Sequence, residues 1–187
     1  MKRLAIFASG NGSNAENIIR YFKNNPAISI DLILTNNSKA KVIQRAEKLG
    51  VLSLVFSKED FYSSDSILLE LQNRSIDLII LAGFMWLVPA NLITYYSGRI
   101  INIHPALLPM YGGKGMYGDY VHEAVSSAGD LQTGITIHFV NENYDEGAVI
   151  FQKKVNIEAG EDPILIADKV HDLEHEFFPQ VIAQVLK

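Results

Sequence analysis

Short apolar runs alternate with amphipathic segments through the first half of the chain, and this alternation limits the fold more than any other feature. One run, Ile76–Ala82, is interrupted only by Asp77 and is typical of a strand buried on both faces of a sheet. Strands and helices in alternation predict a parallel sheet covered by helices. The predicted strands are Leu4–Ala8, Ile28–Leu34, Val51–Phe56, Ile76–Ala82 and Arg99–His104. The predicted helices are Ala15–Phe22, Lys39–Leu49, Ser66–Asn73 and a short one that starts near Pro89.

The second half of the chain has a different pattern. Gly134–Val140 alternates in polarity and a second strand-like run covers Ala148–Ile157, so we expect an antiparallel hairpin. The last helix should begin at Asp162 and Pro163, which form a capping pair. Its expected apolar face consists of Ile166, Val170, Leu173 and Phe177.

The chain has 187 residues, a length that suits one domain. The patterns predict a single α/β domain over residues 1–187 with a Rossmann-like, mostly parallel twisted sheet. Helices should cover both faces of that sheet, and the antiparallel hairpin should extend it in the C-terminal half. The formal charge of −5 gives no sign of a nucleic-acid partner, although backbone amides can still bind a small anion.

The sequence contains no cysteine, which excludes disulfides, thiolate zinc sites and cysteine nucleophiles. No apolar run approaches the roughly 18 residues of a membrane span. The first apolar run is interrupted by Gly10-Asn11-Gly12 before the core of a signal peptide is complete. We therefore expect a soluble, cytoplasmic protein with no membrane partner.

A glycine-rich turn, Ser9–Asn14, lies between the first predicted strand and the first predicted helix. Glycines let the backbone approach a ligand closely, and the amides at a helix start favour an anion. A dinucleotide site would also need an acidic residue at the end of the second strand, where the sequence is Leu34-Thr35-Asn36-Asn37. Two interpretations stay open: a phosphate-binding loop, or a tight turn in which Ser13 or Asn14 caps the helix.

The segment His171–His175 reads HDLEH and matches the H-x-x-E-H pattern of some zinc proteases. A zinc site needs a third protein ligand, and the short sequence that follows offers no persuasive one. The alternatives are a solvated helix face, or a helix that presents Glu174 to the hydroxyl groups of a ligand.

Asn102 and His104 interrupt an apolar run two residues apart, which places both side chains on one face of a strand. Pro105 then removes a backbone donor and favours the end of the strand. An amide can donate a hydrogen bond and an imidazole can exchange a proton near neutral pH. Asp145, in the loop of the predicted hairpin, would favour the imidazolium if it lay close. The alternatives without a catalytic role are an Asn that caps a turn, a hydrogen-bonded His at a strand end and an acid in a loop. A Ser-His-Asp hydrolase is disfavoured because the sequence contains no G-x-S-x-G.

Taken in order, these motifs resemble those of the phosphoribosylglycinamide formyltransferases, also called glycinamide ribonucleotide transformylases. The matching segments are SGNGSN, LAGFM, INIHPALLP, GITIHFV followed by YDEG, and HDLEH. The HPALLP segment by itself is also similar to methionyl-tRNA formyltransferase and formyltetrahydrofolate deformylase. Those relatives carry an additional domain, and the length of this chain favours the purine enzyme.

The resemblance implies that the formyl group of 10-formyltetrahydrofolate is transferred to the amine of 5′-phosphoribosylglycinamide, in de novo purine (IMP) biosynthesis. The folate would be a co-substrate, and no metal is expected. The expected partners are these two small molecules, with the chain acting as a monomer or homodimer. Residues 1–100 would form the nucleotide phosphate-binding half, and residues 101–187 the catalytic and folate-binding half.

The resemblance also implies roles for individual residues. The implied catalytic residues are Asn102, His104 and Asp145. The implied ribonucleotide-binding residues are Gly12, Ser13, Asn14, His171, Asp172, Leu173 and Glu174. The implied folate-binding residues are Met85, Trp86, Leu87, Val88, Asn102, Asn141, Glu142, Asn143, Tyr144 and Asp145.

The chain departs from the pattern of many such relatives in several places. Trp86 stands where an Arg is frequent, and Met110 stands where a Lys is common. The loop Tyr111–Asp119 is longer and richer in glycine. The basic residue that meets the folate tail in some relatives has no clear counterpart near Lys58–Ser64.

In the mechanism that this resemblance implies, Asn102 and a protonated His104 donate hydrogen bonds to the oxygen of a tetrahedral intermediate. Asp145 would raise the pKa of His104 and hold a water that relays a proton.

Other interpretations of the function stay open. They are a folate-dependent formyltransferase acting on an amino sugar nucleotide, a 10-formyltetrahydrofolate hydrolase, a nucleotide-binding regulatory module and a zinc hydrolase.

Overall fold

The structure, a computed structural model, describes every residue from Met1 to Lys187. The chain divides into two compact units, Met1–Ile101 and Asn102–Lys187. Its strands form one seven-stranded sheet in the order β3-β2-β1-β4-β5-β6-β7, numbered along the chain. None of the helices has the length and apolar character needed to cross a membrane.

The first unit alternates strands and helices, as the sequence predicts. Its strands are β1 (Lys2–Phe7), β2 (Ile28–Thr35), β3 (Leu52–Val55) and β4 (Leu78–Leu81), followed by β5 (Ile100–His104), which ends in the second unit. Its helices are α1 (Ser13–Phe22), α2 (Lys41–Lys48), α3 (Lys58–Tyr62), α4 (Ser66–Asn73) and α5 (Ala90–Tyr95). Strand β1 pairs in parallel with β2 and β4, and β2 pairs in parallel with β3.

Burial explains why the first unit follows its sequence pattern so closely. All four residues of β4 are buried, as expected for a strand that is apolar throughout. Helix α1 buries Ala15, Ile18, Ile19 and Phe22, the residues at helical spacing. Helix α3 was not predicted, because its five residues are too few to show a period. Its signal is the capping box of Ser57 and Asp60, which satisfies the backbone at the helix start.

The second unit contains α6 (Asp119–Ala128), β6 (Gln132–Phe139), β7 (Val149–Asn156) and α7 (Pro163–Val185). Strands β6 and β7 form the predicted antiparallel hairpin. Asp162 caps α7 by accepting a hydrogen bond from the Ile164 amide at 2.8 Å, as predicted. Helix α6 was not predicted, because the glycine-rich run before it reads as loop and its buried face is small.

The predicted apolar face of α7 is confirmed at Ile166 and Val170 and is wrong at Leu173 and Phe177. The buried stripe follows Ile166, Val170, Glu174 and Phe178 at a spacing of four residues, whereas Leu173 and Phe177 are only half-buried. Glu174, which is not part of the predicted apolar face, is only 7% exposed. A buried carboxylate needs polar partners, so local hydrophobicity could not identify this face.

Candidate active site

The end of β5 places two polar side chains close together. His104 is 3% exposed and Asn102 is half-buried. The chain then turns at Pro105, and the segment beyond it is held by Thr136 on β6. The Thr136 hydroxyl donates to the Ala106 carbonyl at 2.6 Å and accepts from the Leu108 amide at 3.0 Å. Because Thr136 is fully buried, this anchor fixes the backbone immediately after His104.

Asp145 lies at the end of the β6–β7 hairpin and reaches both residues of β5. Its Oδ2 atom lies 3.6 Å from His104 Nδ1, and its Oδ1 atom accepts a hydrogen bond from Asn102 Nδ2 at 3.4 Å. Asp145 has a φ of +57°, a left-handed conformation that Asp adopts more readily than most residues. A Cβ atom at the nearby Gly147 would lie 1.6 Å from the Phe139 carbonyl oxygen. Only glycine therefore allows the hairpin to close this tightly.

His138 on β6 is a fourth member of the cluster. Its Nδ1 atom lies 2.8 Å from the Phe139 carbonyl oxygen, and since a carbonyl only accepts, Nδ1 carries the hydrogen. In the neutral ring Nε2 is then an acceptor, and Asn102 Nδ2 donates to it at 3.1 Å. One amide group of Asn102 therefore serves two acceptors, His138 and Asp145.

The loop after β5 contacts the same cluster. His104 Nε2 donates to the Tyr111 carbonyl at 2.7 Å, and the Gly113 amide donates to Asp145 Oδ2 at 2.9 Å. The Tyr111 phenol donates to Asp130 at 2.6 Å, and this bond raises the pKa of Tyr111 to about 12. The segment is thus tied to the cluster through its backbone and to Asp130 through its side chain.

The electrostatics of His104 differ from the sequence-based expectation. Burial lowers the pKa of His104, and the attraction of Asp145 and the hydrogen bond to Tyr111, which both raise it, do not compensate. Asp145 thus has the predicted effect, but the predicted protonated His104 is wrong, because the cost of charging a buried imidazole exceeds the gain from one carboxylate. At neutral pH His104 is a neutral ring with Nε2–H as its donor.

Asp145 has the opposite balance. Burial alone would raise its pKa, but the hydrogen bond from the Gly113 amide and the positive charge that His138 and His104 carry when protonated together lower it. The cluster therefore holds an ionised carboxylate beside two imidazoles in a half-buried setting. Such a set can donate hydrogen bonds to a developing negative charge and can accept a proton.

The glycine-rich turn lies in the first unit, at the start of α1. Gly12 is the residue before the helix and has a left-handed φ of +74°; no side chain caps the helix there. A Cβ atom at Gly12 would lie 2.4 Å from Val42 Cγ2, so glycine is also required by close packing on α2. Ser13 and Asn14 form the first turn of α1, where backbone amides and the helix dipole favour an anion. The interpretation in which Ser13 or Asn14 is the cap is wrong.

The segment Met85–Val88 also belongs to the first unit. The Met85 amide donates to Ser9 Oγ at 3.0 Å, and the Tyr62 phenol donates to the Leu87 carbonyl at 3.0 Å. Trp86 packs its ring against aromatic side chains of this unit. Its ring neighbours, all within 6.4 Å between centroids, are Phe56, Phe61, Tyr62 and Phe84.

The remaining predicted residues lie in the second unit. In the hairpin loop Glu142 and Asn143 are exposed, while Asn141 and Tyr144 are half-buried. On α7, His171 Nδ1 lies 3.6 Å from Glu174 Oε2, Leu173 is half-buried and Asp172 is exposed. No group of three or more His, Asp or Glu side chains is arranged to hold a metal ion.

Sequence reasoning missed several residues of this site. His138 and Thr136 share one face of β6, and two polar side chains that alternate with apolar residues are a readable signal. The Tyr111 carbonyl and the Gly113 amide had no signal, because a backbone group contributes nothing to a side-chain pattern.

Known proteins are similar to this chain over nearly its whole length. Residues 2–182 match the formyl transferase family. The phosphoribosylglycinamide formyltransferase of Bacillus subtilis (strain 168) is 38% identical, over 100% of this chain and 95% of that protein. The crystal structure of glycinamide ribonucleotide transformylase 1 from Geobacillus kaustophilus is 40% identical, with a TM-score of 0.90 and 100% of both chains covered. For the phosphoribosylglycinamide formyltransferase from Streptococcus pneumoniae TIGR4 the identity is 35%, the TM-score 0.87 and the coverage 100% of both chains. The chain therefore belongs to the formyl transferase family.

Proposed function

We propose that this chain transfers the formyl group of 10-formyltetrahydrofolate to the amine of 5′-phosphoribosylglycinamide. The products are formylglycinamide ribonucleotide and tetrahydrofolate. The observation that carries the proposal is the cluster of Asn102, His104 and Asp145, in which one carboxylate contacts both a half-buried amide donor and a buried imidazole. The full-length similarity to proteins named for this reaction supports it.

The cluster suits attack of an amine on a formyl group. The amine nitrogen bonds to the formyl carbon, and negative charge develops on the former carbonyl oxygen. His104 donates to that oxygen through Nε2–H, in place of the Tyr111 carbonyl. Asn102 Nδ2 donates a second hydrogen bond to the same oxygen. It does so by giving up its hydrogen bond to Asp145, which at 3.4 Å is longer than its bond to His138. Collapse of the tetrahedral intermediate then breaks the bond between the formyl carbon and the folate nitrogen.

The proton balance of the reaction needs a carrier. The attacking nitrogen loses one proton, and the departing folate nitrogen gains one. Asp145 is the ionised group of the cluster; it receives the proton from the amine, directly or through a water, and passes it to the departing folate nitrogen, which regenerates the carboxylate. No covalent enzyme intermediate and no metal enters these steps.

The substrate-binding roles follow the family resemblance residue by residue. The backbone at Gly12, Ser13 and Asn14 would bind the phosphate, because a helix start favours an anion. His171, Asp172, Leu173 and Glu174 would face the ribonucleotide, with the Glu174 carboxylate on the ribose hydroxyls.

The folate would be held mainly by backbone groups of two segments. The first is Met85, Trp86, Leu87 and Val88. The second is Asn141, Glu142, Asn143, Tyr144 and Asp145, with Asn102 beside the reacting group. Backbone contacts would tolerate Trp86, since its side chain packs on its own unit.

A formyl-transfer assay on the purified chain tests the proposal. We expect formylglycinamide ribonucleotide, detected by mass spectrometry, when 10-formyltetrahydrofolate and 5′-phosphoribosylglycinamide are both present. Formate release without an acceptor would instead indicate a hydrolase. Turnover of an amino sugar nucleotide but not of the ribonucleotide would contradict the proposed acceptor.

A further inference from the structure

The guanidinium of Arg45, on α2, joins the glycine-rich turn to the first turn of α1. Arg45 Nε donates to the Asn11 carbonyl at 2.8 Å, and Nη2 donates to Asn11 Oδ1 at 2.9 Å. Its Nη1 atom pairs with the Glu16 carboxylate on α1. One planar group therefore fixes both the tip of the turn and the helix that follows it.

The turn is held by α2 at three consecutive residues. The Val42 amide donates to the Gly10 carbonyl at 3.2 Å, Arg45 binds Asn11, and the side chain of Val42 fills the space beside Gly12. Gly10 and Gly12 contribute no side chain that could anchor the turn. Asn11 lies between the two glycines, and its side chain is the one that can anchor this part of the turn.

The charges around the helix start also depend on Arg45. Glu16 lies in the first turn of α1, where its negative charge would oppose an anion. Hydrogen bonds from Arg20 and Arg45 lower the pKa of Glu16, so it stays ionised and keeps both guanidinium groups near. Two cations on one carboxylate leave a net positive charge beside the turn.

We infer that Arg45 is a positioning residue for phosphate binding by the Gly12–Asn14 backbone. The inference rests on the proposed function, which places the phosphate there. Backbone amides bind an anion tightly only if the loop is already in the binding conformation, because ordering it on binding costs free energy. Arg45 supplies that order through a fixed fork of donors, which the single ammonium of a Lys does not reproduce.

Steady-state kinetics with two acceptors test the inference. The acceptors are 5′-phosphoribosylglycinamide and the same compound without its phosphate. We expect Arg45→Met to raise the KM for the phosphorylated acceptor about tenfold. The kcat, the KM for the folate and the KM for the phosphate-free acceptor should change less than about twofold. Arg45→Lys should not restore the KM, and Asn11→Ala, which removes the contact of Nη2 but keeps that of Nε with the backbone carbonyl, should give a smaller increase in KM.

Arg20→Met is the matched control, because Arg20 binds the same carboxylate but does not contact Asn11. We expect it to change each KM by less than about twofold. An equal defect in Arg20→Met and Arg45→Met would mean that charge alone matters, and would overturn the positioning role. A lower melting temperature for Arg45→Met with an unchanged KM would overturn it as well.

Calorimetric titration with ribose 5-phosphate separates this inference from the proposed function. If the wild-type chain binds ribose 5-phosphate but does not formylate the acceptor, the proposed function fails and Arg45→Met must still weaken the binding about tenfold. Equal affinity of wild type and Arg45→Met for ribose 5-phosphate would contradict the inference, whatever the outcome of the formylation assay.

Discussion

His104 donates its Nε2 hydrogen to the backbone carbonyl of Tyr111, at a distance of 2.7 Å. The imidazole donor that the proposed reaction needs is thus occupied by the chain's own loop. A substrate oxygen must replace this carbonyl, so the anchoring of Tyr111 determines how readily His104 becomes available. That anchor is the bond from the Tyr111 phenol to Asp130.

Tyr111→Phe removes this anchor without changing the backbone contact. A hydrogen bond to a carboxylate contributes about 1.5–3 kcal/mol. We therefore expect amide hydrogen exchange in residues 111–113 to become about tenfold faster or more. Tyr117→Phe is the control, since Tyr117 is exposed and its ring contacts only Tyr120 among aromatic side chains. Unchanged exchange in Tyr111→Phe would show that the Asp130 contact does not hold the loop.

Asn102→Ala and His104→Ala each remove a donor to the developing oxyanion. We expect each to lower kcat by about 10²–10³-fold, since a donor that acts in the transition state affects turnover more than binding. Asp145→Asn should lower kcat by at least about 10²-fold because it removes the proton acceptor. Asp168→Asn, an exposed acid on α7, is the control and should keep normal turnover. Near-normal turnover of the His104 or Asp145 variant would refute its assigned role.

The two histidines with lowered pKa make folding sensitive to acid. Burial lowers the pKa of His104 and of His122 below 6.5 in the folded chain, so the unfolded chain binds more protons as the pH falls through 6.5. The free energy of unfolding should therefore decrease between pH 7.5 and pH 5, by at most about 1.4 kcal/mol per pH unit for each histidine. His104→Gln and His122→Gln should each reduce this slope in denaturant titrations. A wild-type slope in both variants would contradict the assignment.

Gly12→Ala and Gly50→Ala form a matched pair. Both glycines have a left-handed φ, +74° and +72°, but only Gly12 lies against another side chain. We expect Gly50→Ala to cost about 1 kcal/mol of stability, from backbone strain alone. Gly12→Ala should cost about 1–3 kcal/mol more, because Val42 must move, and should weaken ribonucleotide binding. Equal losses of stability in chemical denaturation would mean that the Val42 contact relaxes freely.

Thr136→Val replaces a hydroxyl that binds three groups with a methyl group of the same shape. The Ala106 carbonyl, the Leu108 amide and Gln152 would lose their partner. We expect a loss of about 1–3 kcal/mol in the free energy of unfolding. Turnover should fall as well, because the segment after His104 is no longer fixed. Thr136→Ser keeps the hydroxyl and should restore turnover; failure of this rescue would indicate a packing role only.

The order of strands and helices could be predicted from the sequence because it depends on local periodicity. The apolar run of β4, the helical spacing in α1 and the capping pair of α7 each lie within one element. The same-face spacing of Asn102 and His104 is also local, since it follows from the geometry of a single strand.

The contacts that give the site its chemistry were decided by the tertiary structure. The distance between His104 and Asp145, the position of His138 and the carbonyl of Tyr111 depend on how segments far apart in sequence fold against one another. The net pKa direction of His104 depends on the depth of burial, which no spacing encodes. Glu174 on the buried stripe of α7 follows the same rule, because a polar group is buried only where the whole fold supplies its partners.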